Sequence, residues 1–306
     1  MALEEAESPR PGWAQALVRL KAAGVNPVDT YVRAGIYGYA PELPYTPGAD
    51  GAGLVEAVGP GVTKVRPGDR VYGGRCVTGS YAERGLFDEA QLFPLPEKLS
   101  FAQGACIAIP YGTAYRALFQ KARARAGETV LVHGASGGVG LAAVQLARAA
   151  GLAVIGTAGS PEGRKLVLEQ GARHALDHKD PGHFEEARRL TGGKGPDVIL
   201  EFLANENLGR DLKVAARFGR VVVVGSRGTV EIDPRDTMQN DLAVLGMSLK
   251  NTPPEEFLEI HEKLGAGLKE GKLRPVVGRE LPLAQAPEAH RAVMRPPALG
   301  KIVLVT

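Results

Sequence analysis

Three glycines recur at intervals of three, Gly134, Gly137 and Gly140, within the string Val130-Leu-Val-His-Gly-Ala-Ser-Gly-Gly-Val-Gly140. Glycines so spaced let a backbone turn tightly and approach a diphosphate closely. The apolar run at 130–132 reads as a buried strand. After the glycines, Val139, Ala142, Ala143, Leu146 and Ala147 follow at helical spacing. Strand, glycine turn and helix together offer free N–H groups and a partial positive charge to a phosphate. A glycine triplet alone is only a tight turn; the strand before it and the helix after it carry the dinucleotide reading.

The end of the second strand of such a unit chooses the nucleotide. An acid there bonds the free 2′-hydroxyl of NAD, whereas basic residues suit a 2′-phosphate. Here the second strand ends Gly156-Thr-Ala-Gly-Ser160, with no acid before Glu162 and with Arg164 and Lys165 following. This favours NADPH, although Arg164 and Lys165 are also what the solvated face of a helix would carry. His174, His178 and His183 raise the question of a metal. On a helix the four-residue spacing could hold one. Across a short strand four residues span roughly 13 Å, which disfavours a shared ion.

These residues need a scaffold of alternating strands and helices, and the pattern supplies it. Strands are expected at 153–157, 175–176, 198–202, 220–224 and 242–247. Helices are expected at 161–170, 185–190 and 206–216, giving an α/β, doubly wound parallel sheet. Before residue 100 the texture differs: short apolar pieces at 16–20, 52–58 and 70–72 lie between Gly/Pro turns, the pattern of a small barrel-like β domain. Two helices broken at Pro110 are expected across 101–119. A helix at 254–271 is expected to carry Phe257, Leu258, His261 and Leu264 on one face, and a last strand at 299–305 to return to the first domain. The expected division is 1–103, 104–247 and 248–306.

The 306 residues suffice for two cores. With 44% hydrophobic and 23% charged residues the composition is that of a globular chain, and a net charge of +3 does not demand nucleic acid. Two cysteines, Cys76 and Cys106, build no disulfide framework and fit a reducing compartment. The acidic, Pro-containing first residues are not those of a signal or transit peptide, and no run suits a bilayer, so a cytoplasmic protein is expected.

Longer strings carry a resemblance: Gly24-Val-Asn-Pro-Val-Asp-Thr-Tyr31, Leu43-Pro-Tyr-Thr-Pro-Gly48, Ile109-Pro-Tyr111, the glycine string itself, Val224-Gly-Ser-Arg-Gly228 and Asp233-Pro-Arg-Asp-Thr-Met238. With these the chain resembles the zeta-crystallin type of quinone oxidoreductase, in the zinc-free branch of the medium-chain dehydrogenase/reductase superfamily, from about residue 16 onward. The resemblance implies a split, GroES-like catalytic β-barrel domain, a Rossmann coenzyme domain, NADPH-dependent reduction of a quinone, a homotetramer and binding of AU-rich RNA. It also implies site residues. Tyr31 reaches the coenzyme; Ser136, Gly137, Gly138 and Val139 hold the diphosphate; Gly159 and His178 lie at the adenosine end. Asn207, Val224, Gly225, Ser226 and Arg227 line the nicotinamide side, closed by Met247, Ser248 and Leu249. Tyr31 and Asn26 are the candidates for a catalytic role.

Zinc-dependent relatives carry a cysteine where Asn26 stands and a His-Glu pair at Ala49-Asp50, so no metal is expected. Asp29 and Asp50 are expected to be hydrogen-bonding groups rather than catalytic acids. The family has a further strand pair before the point where this chain begins, which leads to the expectation of a shortened β domain with an exposed edge. Two other functions fit the same residues: an NADPH-binding crystallin or RNA-binding protein without turnover, and an NADPH-dependent enone reductase.

Overall fold

The computed structural model describes residues 1–306. The chain opens with β1 (Gln15–Gly24), α1 (Pro27–Ala34), β2 (Asp50–Val58), β3 (Arg70–Gly73), β4 (Arg84–Asp88), β5 (Leu92–Pro94) and α2 (Phe101–Gly104). It continues with α3 (Ala108–Tyr115), β6 (Thr129–Val132), α4 (Gly138–Ala149), β7 (Ala153–Thr157), α5 (Pro161–Glu169), β8 (His174–Leu176) and α6 (His183–Leu190). Next come β9 (Val198–Glu201), α7 (Ala204–Val214), β10 (Arg220–Val223), α8 (Arg235–Met238), β11 (Ala243–Gly246) and α9 (Pro254–Glu270). It ends with β12 (Val277–Pro282), α10 (Ala286–Val293) and β13 (Lys301–Val305). No helix is long and apolar enough to cross a membrane.

Two units result. The first comprises residues 1–109, 265–296 and 300–306, the second 110–264 and 297–299. In the first, β1 is the hub: it runs antiparallel to β2, β4 and β13, with Ala22 opposite both Ala52 and Val305. Its inward residues Ala16, Val18 and Leu20 pack with Val55, Val71, Phe87 and Leu92. A second cluster joins Ala23, Val25 and Tyr81 to Leu281, Ala289 and Leu304, so the last strand completes the core begun by the first.

In the second unit six parallel strands take the order β11-β10-β9-β6-β7-β8. Val130, Leu131 and Val132 are fully buried because a doubly wound sheet is covered on both faces, which explains the unbroken apolar run. The order reverses between β6 and β9, where Val132 pairs with Leu200. Ligands of open α/β sheets bind at such a reversal, beyond the carboxyl ends of the strands.

Several local expectations are corrected. Pro110 does not break a helix; it lies in the first turn of α3, where no intrahelical partner for an N–H exists. The chain then widens into a π-helical turn at Arg116–Lys121. In α9 Leu258 faces solvent, and the buried side is Ile260, His261 and Leu264. Residues 248–264 stay with the second unit rather than leaving it at 247. The buried Arg116 guanidinium binds Glu256 and, at 3.2 Å, the Asn251 carbonyl, and Tyr115 donates to Glu259 at 3.1 Å. β4, β5, β12 and α10 were not anticipated, being short or interrupted by Gly and Pro.

Candidate coenzyme and redox site

β6 runs straight into the glycine turn. Gly134 has φ of 52°, a left-handed conformation that costs other L-residues energy, and its N–H donates to the Thr157 hydroxyl at 3.1 Å. A Cβ on Gly140 would stand 2.5 Å from the Gly134 carbonyl oxygen and 2.6 Å from Ala135 Cα, so only glycine lets α4 press against the turn. Gly137 caps α4 in an extended conformation, and a Cβ there would meet nothing nearer than 3.5 Å. The space before the helix N-terminus is therefore open, as a bound phosphate requires. Ser136 is buried beside Gly163, and Gly138 and Val139 supply the first helical amides.

The adenosine-end candidates lie together. A Cβ on Gly159 would come within 2.5 Å of His178 Nε2, so the Nε2 end of the imidazole packs against that glycine. Ser160 caps α5 by accepting from Gly163 N at 3.1 Å. Arg164 beside it is bonded to Asp177 at 2.7 Å, an acid from the end of β8 that the sequence did not bring forward. Lys165 is 80% exposed, with Glu169 at 3.9 Å. His178 faces Gly159, while His183 Nδ1 lies 2.6 Å from the Asp180 carbonyl.

At the ends of β9 and β10 a second group forms. Asn205 Oδ1 accepts from Arg227 N at 2.8 Å and from the Ser226 hydroxyl, fixing the loop that carries Val224, Gly225, Ser226 and Arg227. Gly225 accepts from Ala204 N at 3.0 Å, and a Cβ there would strike the Phe202 carbonyl at 2.6 Å. The Asn207 side-chain amide donates to Glu201 Oε1 at 3.3 Å. Met247 is buried and follows β11, Ser248 precedes a short 3-10 turn, and Leu249 packs over Gly112.

In the first unit Tyr31 lies on α1, half-buried, its ring edge-on to Tyr37 at 5.1 Å. Asn26, the other catalytic candidate, precedes α1 and is buried in a polar network. Its N–H donates to Asp29 Oδ2 at 2.8 Å, and its side-chain amide donates to Asp50 Oδ2 at 3.0 Å. Tyr81 donates to Asp29 at 2.9 Å, with His290 behind it at 3.3 Å. Asp50 also accepts from Ile109 N at 2.9 Å. The Lys301 ammonium completes the network, donating to Asn26 Oδ1 and lying 3.4 Å from Asp50 Oδ2. Burial pushes the Asp29 carboxyl up to about 6 and the Asp50 carboxyl above its usual range, with Lys301 the strongest opposing influence on Asp50.

Lys301 was not singled out from sequence; only the pairing of β13 with β1 brings it to Asn26. The residues here do not fit a zinc ion. An ammonium lies against Asn26 and Asp50, and Ala49 has no donor atom. Cys76 and Cys106 do not help: burial pushes both thiols up to about 12, and each bonds a backbone carbonyl.

A mainly antiparallel β unit and a doubly wound unit with this turn, in one chain, define the medium-chain dehydrogenase/reductase class. "Alcohol dehydrogenase GroES-like domain" matches residues 12–97 and "Zinc-binding dehydrogenase" matches residues 138–265. The quinone oxidoreductase of Rattus norvegicus is 51% identical over 97% of this chain and 91% of its own. That of Homo sapiens is 49% identical over the same shares. Among solved structures, Escherichia coli quinone oxidoreductase complexed with NADPH superposes with a TM-score of 0.89 at 29% identity, covering 100% of this chain and 95% of that one. An NAD-dependent alcohol dehydrogenase does so at 0.91 and 33%, with the same coverage. The chain belongs to the zeta-crystallin type of quinone oxidoreductases.

Proposed function

We propose that this protein reduces quinones with NADPH and without zinc. The observation that carries the reading is the open glycine turn at the sheet reversal, followed by a second strand that ends in Gly159 and Ser160 where an NAD-specific acid would stand. The relatives named quinone oxidoreductase, and the NADPH complex among them, support it. When bound, NADPH supplies the reducing equivalents.

The chain's own residues bind and orient. Ser136, Gly137, Gly138 and Val139 receive the diphosphate on main-chain amides, and the α4 N-terminus complements its charge. Gly159 and His178 receive the adenosine end, with Arg164 and Lys165 available to a 2′-phosphate. Asn207, the loop from Val224 to Arg227 and the segment Met247, Ser248, Leu249 flank the nicotinamide, and the family resemblance adds Tyr31 to the coenzyme's contacts. With Asn26 buried and committed to Asp50 and Lys301, its role is to hold α1 and thereby Tyr31. Reduction then rests on positioning a planar acceptor against the nicotinamide. The protons a reduced quinone takes up come from solvent.

Oxidation of NADPH with an ortho-quinone tests this reading. Tight NADPH binding with no turnover would leave a coenzyme-binding protein instead. A homotetramer and AU-rich RNA binding rest on the family resemblance alone, and a cytoplasmic location on composition and the N-terminal residues; an AU-rich oligonucleotide that fails to bind at low salt removes the RNA reading. An enoyl reductase, the CurK enzyme, also superposes, at 26% identity and a TM-score of 0.89, so an enone belongs in the same substrate screen.

A further inference from the structure

The side chains of His133, Glu201 and Asp211 form a cluster that the coenzyme reading does not use as a unit. His133 follows β6 and directly precedes Gly134, Glu201 ends β9, and Asp211 lies on α7. β6 and β9 are the neighbours at which the sheet order reverses. One ligating atom from each of the three lies within 4.8 Å of the others. His133 Nε2 is 2.8 Å from Asp211 Oδ1 and 3.5 Å from Glu201 Oε2. Glu201 and Asp211 are wholly buried.

The hydrogen bonds around the cluster leave two atoms short. Glu201 Oε1 accepts from Leu203 N and from Asn207 Nδ2. Glu201 Oε2 and Asp211 Oδ2 have no donor. The charged and titratable neighbours do not supply one. The Arg210 guanidinium of α7 is stacked 4.1 Å over Phe184 and bonded to the Pro181 carbonyl. His183 of α6 has its ring 6.2 Å from that of His133, with its Nδ1 on the Asp180 carbonyl. His178, beyond, packs on Gly159.

Two carboxylates buried together cannot both be charged beside a neutral imidazole. A proton on Glu201 Oε2, directed at Asp211 Oδ2, partners both orphan oxygens, while His133 Nε2–H donates to Asp211 Oδ1. We propose that His133, Glu201 and Asp211 hold one proton in common, and that this proton sets the affinity of the adjoining glycine turn for its coenzyme. The second half rests on the coenzyme reading above.

The sign follows from charge. Burial raises the pair above the ordinary carboxylate range, so the proton leaves as pH rises. Its loss adds a negative charge beside the turn that must accept an anionic diphosphate, and NADPH binding weakens. Glu201 also carries Asn207, so the same proton governs the charge on which that nicotinamide-side amide rests.

The test compares NADPH dissociation constants of the full chain with those of Asp211→Asn and Glu201→Gln, from about pH 5.5 to about pH 9. The phosphate of the coenzyme titrates alike in all three, so the difference between profiles reads the cluster. The expected result is a Kd for the unaltered protein that climbs with pH toward about tenfold per unit, the limit for one linked proton, and variants lacking that component. Superimposable profiles overturn the linkage. Infrared difference spectra at neutral pH, unaltered protein minus each variant, test the proton directly: a protonated-carboxyl band is expected in both differences, where the unchanged Asp29 and Asp50 carboxyls cancel. No such band, or a stoichiometric metal in the purified protein, overturns the shared proton. If NADPH binds at no pH, the coenzyme reading falls and takes the linkage with it, while the band still decides the shared proton.

Discussion

Replacing Lys301 by Met tests the polar network of the first unit. The ammonium is buried, 3.4 Å from the wholly buried Asp50 carboxylate. A unit pair at that distance attracts by about 5 kcal/mol in an effective dielectric of about 20. Breaking one partner of a buried pair costs about 3–5 kcal/mol, because the other charge is stranded. Against a typical total of about 5–15 kcal/mol this is a large share. The loss depends on pH. Burial already holds the folded-state Asp50 carboxyl above its unfolded value, and Lys301 is the main influence pulling it back. A group raised on folding favours the fold at low pH and loses that contribution as pH rises through its folded value. Without Lys301 that value moves higher still, so the deficit of Lys301→Met is largest above neutrality and shrinks on acidification. Urea unfolding followed by circular dichroism and by Trp13, the sole tryptophan, measures it in the unit concerned. Adding Asp50→Asn is expected to recover at least half of the loss. A deficit below about 1 kcal/mol, a deficit unchanged between about pH 5 and about pH 8, or no recovery in the double variant refutes the argument.

Other outcomes follow from the same geometry. Gly140→Val puts a side chain 2.5 Å from the Gly134 carbonyl and is expected to destabilise the second unit by about 1–3 kcal/mol, read as a lower melting temperature. Gly137→Asp has room to fold but places a carboxylate where a diphosphate would sit; NADPH affinity should fall on the order of a hundredfold with melting nearly unchanged, as a fluorescence titration would show. Arg164→Glu is expected to shift the NADPH-to-NADH affinity ratio toward NADH by about tenfold or more, and an unchanged ratio would remove Arg164 from the 2′-phosphate site. Burial holds the His261 imidazole down to about 3, so its contribution is present above the unfolded value near 6.5 and is lost as pH falls from there toward about 3. His261→Gln should flatten the stability profile between about pH 6.5 and about pH 5 by about 2 kcal/mol, measured by denaturant midpoints.

Elements with a strong period were legible. The continuous apolar runs of β6, β9 and β10 announce strands covered on both faces, and glycines 134–140 announce the turn between strand and helix. Short elements were not: β4 and β5 are held by pairing with β1 and β3, and no local pattern of five or three residues could show it. Along α9 the shared face of Phe257, Leu258, His261 and Leu264 is legible, but which part of it is buried is not: His261 and Leu264 are buried and Leu258 is exposed, a matter of what packs against the helix. Among the site residues, Gly159 and His178 were named separately, and the structure packs one against the other.

The sequence alone determined the turn, since close approach to a phosphate and to α4 demands glycine whatever surrounds it. It also determined that Asn26 and Ala49 stand where zinc relatives keep ligands. Only the tertiary structure decided what Asn26 and Asp50 meet: Lys301 lies 275 residues from Asn26, and strand pairing alone brings it there. The same holds for His133, Glu201 and Asp211, ordinary residues until a reversal in strand order buries them together. Glycine positions report a backbone's local needs, which are written locally, whereas a buried charge reports who its neighbours are, which the fold alone assigns.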